Sequence, residues 1–196
     1  MPSPRGLLEL TRPGNAVAAG LLTFVGAFVG GGVLGTGVAG ALDWVAAVAA
    51  TVLAVGAGMA INDYFDREID RVNRPDRPIP RGAVSPREAL AFSGLLFGVA
   101  VVLAVTLPPL AVGIAVVNLL ALVAYTELFK GLPGLGNALV GYLTGSTFLF
   151  GGAAVGGRLD SVLVLFALAS LATFAREVVK DVEDVAGDRE EGLRTL

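Results

Sequence analysis

Charge divides this chain into segments, and the spacing of the divisions restricts what it can become. No Asp, Glu, Lys or Arg occurs between Arg12 and Asp43, between Asp43 and Asp63, from Ala89 to Thr126, from Gly131 to Gly157, or from Ser161 to Ala175. Uncharged apolar stretches of about 20 residues match the ~30 Å hydrocarbon layer of a bilayer. Leu107-Pro108-Pro109 interrupts the longest run. Two prolines remove two backbone donors and disfavour helix at the residue before them, which predicts two helices joined by a tight turn. The expected fold is all-α, a polytopic transmembrane bundle of about six helices. The predicted spans are 14–36, 42–62, 88–107, 109–127, 137–156 and 160–180. The last uncharged run is short, so its helix is expected to carry Arg176 to Asp181 at the membrane interface.

Composition agrees. The chain is 55% hydrophobic and 16% charged, against roughly 45–50% and 25% in soluble domains. No short hydrophobic segment ends in a small-residue cleavage site, so the first span reads as a retained helix and not a signal peptide. Gly20, Gly26, Gly30, Gly94, Gly98, Gly141 and Gly145 recur at intervals that let helix backbones approach closely in lipid. The basic residues set the orientation. With six helices and an inside N-terminus, every Lys and Arg except Arg158 falls on one side. The positive-inside rule makes that side cytoplasmic. A multi-pass protein of the cell membrane follows, with membrane lipids as its surroundings and no nucleic-acid partner.

The chain has no Cys and no His. Disulfides, zinc–thiolate centres, Cys–His nucleophile pairs and imidazole acid–base chemistry are excluded. Carboxylates, basic side chains, hydroxyls, amides and an oxygen-held metal remain.

Two carboxylate clusters stand out. Asp63, Asp66 and Asp70 read D-x-x-D-x-x-x-D, and so do Asp181, Asp184 and Asp188. On a continuous helix such positions share a face. Like charges gathered this way need a cation. Grouped hard oxygens suit Mg²⁺, which usually takes one or two carboxylates, keeps water and bridges to phosphate. The clusters lie at the same-side ends of the second and sixth spans, where they can hold Mg²⁺ ions around a diphosphate. The alternative for either cluster alone is a solvated helix end. Arg74, Arg77, Arg81, Lys130, Arg176 and Lys180 lie beside the clusters. They can meet a diphosphate or an anionic acceptor, or serve only topology and snorkelling.

These motifs carry a resemblance. Asn62 to Asp70, the following Asn73-Arg74-Pro75-Asp76-Arg77-Pro78-Ile79-Pro80-Arg81-Gly82, the Tyr125–Asn137 stretch, Asp181 to Asp188, and Arg12-Pro13-Gly14-Asn15 are together similar to the UbiA superfamily of intramembrane prenyltransferases. The resemblance runs over nearly the whole chain. It implies Mg²⁺ as cofactor, a prenyl diphosphate as donor, and a lipid or aromatic acceptor. It implies that Asp63, Asp66, Asp70, Asp181, Asp184 and Asp188 hold metal, with Asp63, Asp66, Asp181 and Asp184 catalytic. It assigns Asn15, Asn62, Arg74, Arg77, Arg81, Tyr125, Lys130, Arg176 and Lys180 to substrate. The stretch from Arg176 to Asp184 is most similar to the branch that transfers a geranylgeranyl group to geranylgeranylglyceryl phosphate in archaeal ether-lipid synthesis. Family members are ordinarily longer. Residues 1–196 are thus expected to be one domain, the N-terminal two-thirds of the family fold, with C-terminal helices missing.

Three rival readings differ in class. One is a family member with an aromatic acceptor such as 4-hydroxybenzoate. One is a CDP-alcohol phosphotransferase, which carries a single compact motif with an internal Asp-Gly and not two separated copies. The third is a cation transporter or channel, which places acidic groups near the membrane midplane, or a non-catalytic fragment.

Overall fold

The computed structural model describes residues 2–31, 37–124 and 134–190, with backbone alone at Ala39 and 184–190. The described residues form eight helices: α1 (Pro4–Leu10), α2 (Pro13–Val29), α3 (Gly37–Phe65), α4 (Arg67–Asn73), α5 (Pro86–Val105), α6 (Pro109–Ala124), α7 (Leu135–Ala154) and α8 (Leu159–Glu190). The six expected spans correspond to α2, α3, α5, α6, α7 and α8. The short α1 and α4 add to them. Gly30 caps α2 and Gly31 follows at φ 84°, so that helix stops well before residue 36. Helix α8 runs past the expected end through the whole second acidic motif.

Local chemistry explains the boundaries. Proline stands at the start of α1, α2 and α5, where its missing N–H costs no helical hydrogen bond. Ser85 and Glu88 form a reciprocal capping box on α5, which satisfies two otherwise orphaned donors. Pro109 opens α6 directly after the predicted turn.

Segments Gly40–Phe65, Pro86–Val105 and Leu159–Glu183 are long and apolar enough to cross a membrane, while α2 and α6 are shorter apolar helices. Large apolar side chains are exposed along them, including Leu21, Leu95, Val102, Leu120 and Leu171. In water such a surface is an aggregation liability, whereas lipid tails solvate it. This is a membrane protein.

Small residues set the helix order. Gly26 of α2 lies against the Phe148 backbone of α7, and Gly30 lies against Gly152, so α2 and α7 run parallel. Gly20 faces Val48 and Val52 of α3, while Gly141 and Gly145 face Ser170 and Phe166 of α8. Each of those pairs is antiparallel. Gly94 and Gly98 depart from the expectation: a Cβ at either meets nothing within 4 Å, so among the described residues no helix packs on them.

Two apolar clusters hold the layers. One joins Ala47 and Ala50 of α3, Leu107 and Ala111 near the α5–α6 turn, and Phe150, Ala153 and Ala154 of α7. The other joins Leu10, Ala60, Ile79, Val84 and Ala89 and fastens the 74–85 loop to α1, α3 and α5. Some buried hydroxyls find partners across helices: Thr23 with Thr51 at 2.9 Å, and Ser93 with the Ala57 carbonyl at 2.9 Å. In lipid an unpaired hydroxyl is costly, so these bonds fix register.

Candidate active site

The parallel α2–α7 pair puts the N-termini of both helices at one end of the bundle. The C-terminal ends of α3 and α8 come to the same end. The two acidic motifs therefore share that end, and α2 and α7 lie between the helices that carry them.

Helix α3 delivers Asp63 in its last turn and then breaks. Asp66 caps α4 with φ −83° and ψ 3°. The expectation of three carboxylates on one continuous helix face is corrected here. Asp63 belongs to α3, Asp70 to α4, and Asp66 marks the break between them. Asp63 and Asp70 are both buried, and both accept from one guanidinium. Arg77 Nη1 reaches Asp63 Oδ1 at 3.2 Å and also donates to Asp70 Oδ2. Arg12 Nη2 donates to the same Asp63 Oδ1 at 2.7 Å. Charge-assisted contacts of this kind are the strong ones, and two buried acids without a cation are expensive. Arg12 sits at φ 45°, a left-handed conformation that costs a non-glycine residue about 1–2 kcal/mol. Its ion pair with Asp63 holds it there, and Pro13 disfavours helix at that position.

The 74–85 loop aims Arg77. Arg74 caps α4 and its amide bonds the Asp70 carbonyl at 2.8 Å. Arg81 turns away from the aspartates, donating to the Asp76 carbonyl at 2.7 Å and to Glu9 of α1. That bond from Arg81, opposed by desolvation and helped by Arg5, holds the Glu9 carboxyl below its usual range.

The second motif is organised by α7. Asn137 Nδ2 donates to Asp181 Oδ2 at 2.7 Å. Arg176 and Lys180 share the face that their spacing predicts. Both pair with Glu177, at 2.8 Å and 3.8 Å, and stay largely exposed. Asp184 and Asp188 lie on α8, but their side chains fall outside the described residues, as do Tyr125 and Lys130 altogether. Asn15 and Asn62 are exposed at the same end.

Among the substrate and metal candidates, the structure thus brings Asp63, Asp70 and Arg77 into contact and leaves Arg74, Arg81, Arg176 and Lys180 outside that knot. Arg12 and Asn137 were not among the sequence candidates. Each lies in a stretch that carries the resemblance but was given no role: Arg12 immediately before the first apolar run, and Asn137 at the start of the fifth predicted span.

The fit of Mg²⁺ rests on the donor set. Among the described residues no group of three or more carboxylates stands close enough to hold a metal ion. Two carboxylates do converge on one point, and the Arg77 guanidinium already places a positive charge there. Mg²⁺ bound to substrate phosphate ordinarily needs only one or two protein carboxylates, so the residues fit.

The structure is thus a lipid-facing helix bundle with paired acidic and basic groups gathered at one end. The chain belongs to the UbiA prenyltransferase family, which matches residues 12–196. A digeranylgeranylglyceryl phosphate synthase of Natronomonas pharaonis is 71% identical over 192 residues, covering 98% of this chain and 68% of that protein. The protein of that name from Halobacterium salinarum is 64% identical, covering 100% of this chain and 69% of its own length. This chain thus spans about two thirds of these relatives. A solved structure concerning digeranylgeranylglyceryl phosphate synthase in membranes superposes with a TM-score of 0.84 at 37% identity, covering 98% of this chain and 67% of that one. A UbiA homologue from Archaeoglobus fulgidus bound to GPP and Mg²⁺ shares the fold, with a TM-score of 0.72 at 20% identity over 96% of this chain and 66% of that one.

Proposed function

We propose that this chain is the N-terminal two-thirds of an enzyme that transfers a geranylgeranyl group from its diphosphate to geranylgeranylglyceryl phosphate, with Mg²⁺, at the cytoplasmic face of the membrane. The observation that carries the reading is the convergence of buried Asp63 and Asp70 on one cation, with Arg12 beside them. The acceptor is inferred from the name shared by the relatives. The cytoplasmic assignment is supported by the basic residues, which crowd the site end while Arg158 lies at the other.

Asp63, Asp66 and Asp70 would hold metal on one side, and Asp181, Asp184 and Asp188 on the other. Bound Mg²⁺ would supply Lewis-acid neutralisation of the leaving group. Arg77 and Arg12 stand where they can meet diphosphate oxygens, and Asn62 flanks them. Asn137 orients Asp181 towards the same end. Arg74, Arg81, Lys130, Arg176, Lys180, Asn15 and Tyr125 are assigned to substrate contact on sequence grounds, with Arg176 and Lys180 nearest the acceptor phosphate. In the reaction the allylic C–O bond breaks and its electron pair leaves with the diphosphate. The acceptor hydroxyl oxygen forms the new C–O bond and passes its proton to the released diphosphate. The apolar bundle keeps water from the allylic cation meanwhile.

The test is a competition assay on membranes carrying the full-length protein, with labelled geranylgeranyl diphosphate as donor. Label is expected in digeranylgeranylglyceryl phosphate. Arg176→Ala should raise KM for the acceptor more than for the donor. Prenylation of 4-hydroxybenzoate with no ether lipid formed would transfer the chain to the aromatic branch. Magnesium-dependent ion flux with no product would favour a transporter.

A further inference from the structure

Arg77 occupies the point on which Asp63 and Asp70 converge. It contacts Asp63 Oδ1 and Asp70 Oδ2 with one nitrogen, and only 18% of its side chain is exposed. The two acceptors are more buried still, with side chains 5% and 8% exposed. Asp63 Oδ1 already accepts from both Arg12 and Arg77, and a metal ion at that oxygen would add a third positive charge where low-dielectric surroundings magnify the repulsion. A metal that takes Asp63 Oδ1 and Asp70 Oδ2 displaces the guanidinium from both.

The backbone that carries Arg77 is not free to leave with it. The Arg77 amide bonds the Arg74 carbonyl at 3.1 Å, and its carbonyl accepts from Arg81 at 3.1 Å. Ile79 and Val84 are buried against Leu10, Ala60 and Ala89. The Ser3 amide bonds the Ala83 carbonyl at 3.0 Å, and Arg81 is tied to Glu9. Exchange is therefore a side-chain movement about a held loop. A displaced guanidinium stays within a side chain's length of the metal, where an anion bound to that metal can satisfy it. Guanidinium binds phosphate oxygens in a planar fork.

We propose that Arg77 is a built-in competitor for metal at the Asp63–Asp70 pair, and that it makes metal uptake depend on diphosphate. Metal alone must offset the loss of the two Arg77 ion pairs, and the displaced Arg77 gains no new partner. Metal with diphosphate transfers Arg77 to a new partner. The two ligands then bind with positive coupling, each raising the affinity for the other by the same factor. The inference rests on the Mg²⁺ reading above, and it gives Arg77 a positioning role that a simple diphosphate contact does not include.

The experiment measures Mn²⁺ binding by electron paramagnetic resonance to the full chain in nanodiscs, at fixed free Mn²⁺, with and without inorganic pyrophosphate. In the wild type pyrophosphate is expected to tighten Mn²⁺ binding about tenfold or more. Arg77→Gln is expected to bind Mn²⁺ alone about five- to tenfold more tightly than the wild type and to lose most of the pyrophosphate effect. Arg77→Lys keeps the charge but not the fork, so it should lie between the two. It provides the comparison if the glutamine variant does not fold. Binding of Mn²⁺ alone that is unchanged or weaker in both variants overturns the inference while leaving the metal site standing. Absence of Mn²⁺ binding to the wild type under every condition overturns the metal reading itself.

Discussion

Asn137 and Asp181 lie 44 residues apart, and a 2.7 Å hydrogen bond joins them. The amide enters from the first turn of α7, and the carboxylate from α8 at the start of the second acidic motif. The bond leaves one Asp181 oxygen occupied and orients the other. Asn137→Ala removes a hydrogen bond to a charged group, worth about 1.5–3 kcal/mol. The expected outcome is a ten- to hundredfold fall in kcat/KM for the prenyl diphosphate in the full-length enzyme, beside a loss of stability no larger than that value. Steady-state kinetics beside a melting curve checks it. Unchanged kinetics would show that Asp181 needs no orientation from α7.

Asp63 is the acceptor shared by Arg12 and Arg77. Asp63→Asn keeps the shape and removes the charge. Turnover should fall by at least about a hundredfold, because both a metal donor and the partner of two guanidinium groups are lost. Excess EDTA should abolish turnover in the wild type, and added Mg²⁺ should restore it. Full activity in EDTA would remove the metal from the mechanism.

The glycines divide into two kinds that sequence spacing does not separate. A Cβ on Gly151 runs into the Thr23 carbonyl of α2, whereas one on Gly98 meets nothing. Gly151→Ala should destabilise the protein by about 1–3 kcal/mol or more through overpacking. Gly98→Ala should be neutral or stabilising by up to about 1 kcal/mol through helix propensity. Thermal unfolding of both variants in one detergent decides it, and equal melting temperatures would mean that α2 and α7 are not in backbone contact.

The same contrast shows what was legible in the sequence. Charge-free runs and the double proline give the six apolar helices and their order, though not the short α1 and α4, because a bilayer requires continuous apolar helices. The site end was legible from Asp63, Asp70 and the arginines that follow. The break at Asp66 was not, since a D-x-x-D-x-x-x-D spacing reads as one helix whether or not the axis bends. Nor could spacing tell that Arg81 turns to Glu9 while Arg77 turns inward. That choice is made by how Ile79 and Val84 pack on Leu10 and Ala60, a contact among residues far apart in the chain. Arg12 and Asn137 were missed for a related reason: each acts on an aspartate more than forty positions away.

Glu9 and Arg81 give the last prediction, at the surface of the same end. Their ion pair ties α1 to the loop that carries Arg77. The hydrogen bond from Arg81 lowers the Glu9 pKa beneath its ordinary value near 4.5. A lowered folded-state pKa means that the stabilisation is present above the ordinary value and is lost as pH falls through the lowered one. The melting temperature of the wild type should therefore exceed that of Glu9→Gln by a constant amount from about pH 8 to pH 5, and the gap should close in stronger acid. Because the pair is open to solvent, about 1 M salt should also narrow the gap at neutral pH, where the Debye length falls to about 3 Å. Arg81→Gln should reproduce the Glu9→Gln profile, and adding it to Glu9→Gln should cost little more, since the two changes remove one interaction. A gap that persists unchanged into strong acid would mean that Glu9 stabilises α1 by packing, and that the loop is held by Ile79 and Val84 alone.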